Sequence, residues 1–205
     1  MARVEDVMTY ADSLVGLPFR WYVPGENAFV ADDRFWCADL EAPTAQEIRE
    51  QNKTIVCTGL PNLMRRFLRL PIPGGLHGNI RGKYRELLQQ FPGGTGAWFK
   101  YFHQNKRLQK IDTKKHYPRG TLLIARFKDD NTDQGHLAVV YDNVDYSKTI
   151  FKQLIIHSTP TVDYGDRDKF ENHGAVTIEP FLVSAKAWGL KYYEYVCLPE
   201  NWLQN

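Results

Sequence analysis

Three cysteines in 205 residues, Cys37, Cys57 and Cys197, are too few for a disulfide framework, and their odd number leaves at least one thiol unexplained. Long apolar runs are missing too. Stretches such as 122–125 and 137–141 fall far short of the roughly 20 residues of a membrane span, which excludes a transmembrane helix. Neither charge is in excess: 26 Lys and Arg against 24 Asp and Glu leave a formal +2, too balanced for a polyelectrolyte partner, so nucleic acid is not expected. The first six residues, Met1 to Asp6, carry no apolar segment of a secretory signal, so the expected location is the cytoplasm, or outside by a non-classical route. His77, His103, His116 and His173 show no ligand spacing, and no metal or other cofactor is expected. Gly93-Gly94-Thr95-Gly96 lacks the Lys-Ser/Thr ending of a phosphate loop and reads as a lid or a plain turn.

What is present is 43% hydrophobic and 13% aromatic residues, enough for a core. One domain over 1–205 is expected, with elaborations at about 22–56 and 72–117. Val4, Val7, Met8, Ala11, Leu14 and Val15 recur at helical spacing and stop at Gly16, predicting an amphipathic first helix. Residues 19–40 mix Trp21, Tyr22, Phe29, Phe35 and Trp36 with turn formers and read as an aromatic-anchored loop. Thr44 followed by Glu47 is a capping-box pattern for a short helix. Leu60, Leu63, Met64, Phe67 and Leu68 predict a second strong helix ending before Pro71, with Arg65, Arg66 and Arg69 on its solvent side. Helices are also expected near 84–90 and 97–106. From 121 onward the runs 121–127, 136–141, 153–158, 175–178 and 192–198 are short, β-branched and aromatic, with hairpin-length turns between them. Helices first and strands afterwards make an α+β fold with an antiparallel sheet.

Cys57 sits at the N-terminal edge of the second helix, where unpaired amides and the helix dipole favour a thiolate, so its pKa is expected below that of a free cysteine. His136 opens a strand after a polar turn and could take the thiol proton. His157, on the next run, could hydrogen-bond to and orient His136. Taken singly, each of these is more often a core cysteine or a structural histidine. Cys37 and Cys197 have no matching histidine and read as core or loop thiols.

In the order they occur, several segments resemble the NlpC family of papain-like cysteine peptidases, the bacterial cell-wall endopeptidases. Residues 14–21, Leu-Val-Gly-Leu-Pro-Phe-Arg-Trp, are similar to that family's opening helix end and aromatic segment. Cys57-Thr58-Gly59-Leu60 resembles its nucleophile at a helix start, and Pro118-Arg119-Gly120-Thr121 its entry to the first core strand. Residues 135–141 resemble the strand of the catalytic base, and Ile155-Ile156-His157-Ser158 that of the orienting residue. The resemblance implies a papain-like fold and a catalytic triad of Cys57, His136 and His157. It also implies a substrate groove touched by Trp21, Tyr22, Thr58 and Gly135.

The implied activity is hydrolysis of an amide bond without a cofactor, in peptidoglycan stem peptides of the γ-D-glutamyl-diaminopimelate type. The implied partners are a peptide or peptidoglycan-fragment substrate, with room for an inhibitor or immunity protein. Val56, Thr58 and Phe19 depart from the family's usual Asp, Ser and Tyr. The alternatives are a thiol acyltransferase, a protein-directed cysteine peptidase, and an inactive binding module.

Overall fold

The computed structural model describes residues 2–19, 41–73, 94–127, 135–142, 149–160 and 174–204. Helix α1, Ala2–Ser13, buries Val7, Met8 and Ala11, as its spacing predicts. The chain turns back at Gly16, whose φ of 82° lies in the left-handed region that suits glycine. Helix α2, Ala45–Glu50, starts with the anticipated capping box. The Glu47 amide donates to Thr44 Oγ1 at 3.2 Å, and the Thr44 amide donates to Glu47 Oε2 at 2.7 Å. Helix α3 is Gly59–Phe67 and helix α4 is Thr95–Gln104, the latter capped by Gly94. Residues 94–96 of the glycine-rich stretch therefore form a helix start.

Among the described residues six strands make one antiparallel sheet: β1 Gln109–Lys110, β2 Leu122–Arg126, β3 Gly135–Val140, β4 Leu154–Pro160, β5 Gly174–Pro180 and β6 Tyr193–Cys197. Their spatial order is β1-β6-β2-β3-β4-β5, every neighbouring pair antiparallel. The run β2 to β5 is the anticipated meander, but β6 returns to pair with β2 on its other side. The return is made by a helix absent from the sequence reading, α5, Phe181–Trp188. Its run Phe-Leu-Val-Ser-Ala-Lys-Ala-Trp has no clean apolar period, and its start at Pro180 has no side-chain cap. A short helix α6, Pro199–Trp202, closes the described chain. The architecture is thus α+β with an antiparallel sheet. No helix among the described residues is long and apolar enough to cross a membrane.

Alternation along the strands separates two buried clusters. Leu122, Ile124, Leu137, Val139 and Ile156 pack with α1, α3 and α4, where Trp98 and Phe102 are fully buried. Residues 95–104 therefore belong to the core rather than lying upon it. Leu123, Ala125, Ala138, Val140 and Ile155 pack on the opposite face with Phe181, Ala185, Trp188 and Tyr193. Covered on both sides, β3 is buried along its whole length, including His136.

The solvent role expected of Arg65 is overturned. Its guanidinium donates to the carbonyls of Pro71 and Trp202 and lies 5.9 and 5.6 Å from the Tyr101 and Phe102 ring centres. Burial pulls its pKa down to about 10. Arg66 is buried as well, while Arg69 is exposed and pairs with Glu41 at 3.3 Å. The predicted helix near 84–90, Cys37, His77 and His173 lie outside the described residues.

Candidate active site

The segment before Cys57 is pinned at two points. The Ile55 amide donates to Pro18 O at 2.9 Å, and Ile55 O accepts from Ser158 Oγ at 2.5 Å. Residues 16–19 are themselves laced to the edge of β5: Gly16 N donates to Val176 O and Phe19 N to Gly174 O, at 2.9 and 2.8 Å. The chain then turns, with Gly59 N donating to Val56 O at 2.9 Å, and α3 begins. A Cβ at Gly59 would lie 2.9 Å from Ile55 Cγ2, so glycine keeps this turn tight.

These restraints place Cys57 just before the start of α3, with its sulfur against β3. Its Sγ lies 3.9 Å from Gly135 O. The backbone amides of Leu137, Thr58 and Cys57 itself favour the thiolate, yet burial outweighs them and pushes the thiol up to about 11. The lowered thiol pKa expected from the helix start is therefore not found in this state. With Cys57 only 8% exposed, desolvation of the anion exceeds what the amides return.

The sheet register assembles the remaining groups. Val139 opposes Ile156 and Val140 opposes Ile155, so His136 and His157 project from the same face on a diagonal. His136 Nε2 and His157 Nδ1 are 2.8 Å apart. On the next ladder Ile155 opposes Glu179 and His157 opposes Thr177, which makes His157 and Glu179 a second diagonal pair. His157 Nε2 is 3.1 Å from Glu179 Oε1, close enough for an ion pair, although off the axis of a well-directed N–H···O bond.

Trp188 from α5 lies flat against His136, with ring centres 4.3 Å apart and planes 13° off parallel. Burial, with His157 adding to it, holds the His136 pKa well below the ordinary histidine range, so the ring is neutral. Its other nitrogen, Nδ1, is buried and has no hydrogen-bond partner among the described residues. The thiol's bond thus goes to the carbonyl of the residue before His136, and no hydrogen bond joins sulfur to imidazole.

Of the residues assigned to the groove, Thr58 is buried and its hydroxyl makes no capping bond. Gly135 serves close packing: a Cβ there would lie 2.0 Å from Ala125 O and 2.8 Å from Thr95 Cγ2. Trp21 and Tyr22 lie outside the described residues. Cys197 is a core thiol, 3.3 Å from Arg107 O. Glu179 and Trp188 were missed by the sequence reading. Glu179 had a legible signal, an acid on the strand after His157 and in phase with Thr177. Trp188 had none, because α5 itself was not legible.

No protein-family model, no curated protein and no solved structure matches this chain.

Proposed function

We propose that the protein is a papain-like cysteine hydrolase of the NlpC type that cleaves an amide bond, with Cys57 as nucleophile, His136 as base and His157 as its orienter. One observation carries this reading. The two imidazoles are joined at 2.8 Å through His136 Nε2, while Nδ1 of the same ring has no partner among the described residues, and the preceding residue, Gly135, contacts the Cys57 sulfur. A buried neutral imidazole with an unused nitrogen can receive a proton.

In the proposed reaction the Cys57 proton passes to His136 Nδ1 and the thiolate attacks the amide carbonyl. The imidazolium returns the proton to the leaving amine as the C–N bond breaks, and water then hydrolyses the thioester. The Cys57 amide at the start of α3 is the candidate donor to the oxyanion. The dominant resting state holds thiol and imidazole both neutral, so proton transfer takes place in the molecules whose sulfur has approached the ring. The substrate class, peptidoglycan stem peptides, rests on the motif resemblance alone.

A second reading, a binding module of the same fold without turnover, is favoured by the buried thiol raised to about 11. Incubation with purified peptidoglycan fragments, with products read by mass spectrometry, separates the two. The hydrolase reading expects a cleaved stem peptide from the parent and none from Cys57→Ser. Uncleaved fragments across wall types of different stem composition would overturn the assigned substrate, and with it the wall-hydrolase reading.

A further inference from the structure

The geometry points to Glu179 as a positioning residue that sets the tautomers of both histidines and thereby leaves His136 Nδ1 bare to accept the Cys57 proton. This inference rests on the proposed roles of Cys57 and His136 and adds a fourth member to their chain. His136 is neutral, and when His157 is neutral as well the two rings, 2.8 Å apart, share one proton between His136 Nε2 and His157 Nδ1, which two arrangements allow.

In the first, His157 carries its proton on Nε2, facing Glu179 Oε1 at 3.1 Å, and its bare Nδ1 accepts from His136 Nε2–H. His136 Nδ1 is then a lone pair. In the second, His157 Nδ1–H donates to His136 Nε2, so His136 must carry its own proton on Nδ1 and cannot act as a base there. That arrangement also sets the bare Nε2 of His157 against a carboxylate oxygen, lone pair against lone pair. A carboxylate only accepts, so Glu179 selects the first arrangement.

The burial pattern agrees with such a role. His157 is fully buried, and no water is needed to choose its tautomer once the carboxylate is in place. Glu179 keeps about a quarter of its side chain exposed, on the edge strand β5, so its replacement opens no fully enclosed cavity.

The test is direct observation of the ring nitrogens in the full chain, by long-range proton–nitrogen NMR of the parent, Glu179→Gln and Glu179→Ala at neutral pH. The parent should show both rings protonated at Nε2 and bare at Nδ1. Glu179→Gln, whose amide can donate to His157 Nε2, should give up that single pattern and populate protonated His136 Nδ1, and Glu179→Ala should show both tautomers. The backbone amide spectrum of each variant reports that the fold is intact. Protonation of His157 at Nδ1 in the parent, or parent-like ring patterns in both variants, would overturn the inference. Because the readout is the ring and not turnover, a protein that hydrolyses nothing yet shows the parent pattern and its loss in the variants would sink the hydrolase reading and still support this one.

Discussion

The two faces of the sheet are built from the same strands and differ in what they bury. The face toward α1, α3 and α4 is mainly aliphatic and aromatic packing, and its buried polar groups are tied up within the helical layer: Trp98 Nε1 donates to Asn62 Oδ1 at 2.9 Å and Arg65 donates to the carbonyls of Pro71 and Trp202. The face toward α5 buries His136 and His157, and places Tyr193 with its hydroxyl 2.8 Å from Ser184 Oγ. Buried polar groups need partners on either face, and the second face supplies those of its histidines through strand register. Cys57 comes from the helical side and His136 points to the other. The Cys57 sulfur reaches the Gly135 end of β3, next to His136 in sequence, where the absence of a side chain lets β2, β3 and α4 close up.

Substitutions on the two faces should therefore fail in different ways. The largest effect belongs to the reacting pair: Cys57→Ser and His136→Ala should each lower kcat on the order of 10⁴-fold or more against a cleavable fragment, with the fold retained by circular dichroism. His157→Ala should lose more activity than His157→Asn, which keeps a hydrogen-bonding group toward His136. A His157→Ala protein as active as the parent would reduce His157 to a structural residue. On the other face, Trp98→Ala should lower unfolding free energy by about 3–5 kcal/mol in urea while the folded fraction keeps its kcat. Loss of kcat with full stability would erase the distinction between the faces.

Smaller effects sharpen the comparison through pH. Folded Cys57, raised from about 9 to about 11, holds a proton that the unfolded chain releases, so its contribution is present below pH 9 and lost as pH rises to 11. Two pH units correspond to about 3 kcal/mol, read as the difference between parent and Cys57→Ser in urea titrations. His136 has the opposite sign: its folded pKa is depressed, so stability is lost as pH falls below about 6.5, where the unfolded histidine takes a proton. The smallest effect is Gly59→Ala, where the added Cβ would lie 2.9 Å from Cγ2 of the buried Ile55, a side-chain rather than a backbone clash. It should cost about 1 kcal/mol, less than Gly135→Ala, which strikes the Ala125 carbonyl.

Local signals made part of this legible in advance. The spacing of Val7, Met8 and Ala11, the Thr44–Glu47 pair and the apolar series of α3 each declare a helix within a few residues, because one turn's chemistry decides them. The pairing of His136 with His157 was legible because consecutive antiparallel strands bring such residues together. The return of β6 beside β2 and the fate of Arg65 depend on groups far away in sequence, including the carbonyl of Trp202. Glu179 likewise became part of the site only through the β4–β5 register. The direction of the thiol pKa was misjudged because a helix start can be read from sequence and the depth of burial cannot.

The central claim is that His136 takes the Cys57 proton, and the rate of Cys57 alkylation by iodoacetamide from pH 4 to 12, resolved by peptide mass spectrometry, tests it most directly. The account predicts two components in the parent. A limb rising toward about pH 11 comes from the buried neutral thiol, and a plateau at lower pH comes from molecules in which the proton has moved to imidazole. In His136→Ala the plateau should vanish and the high-pH limb should remain. A single limb with the same midpoint in parent and His136→Ala would contradict the claim.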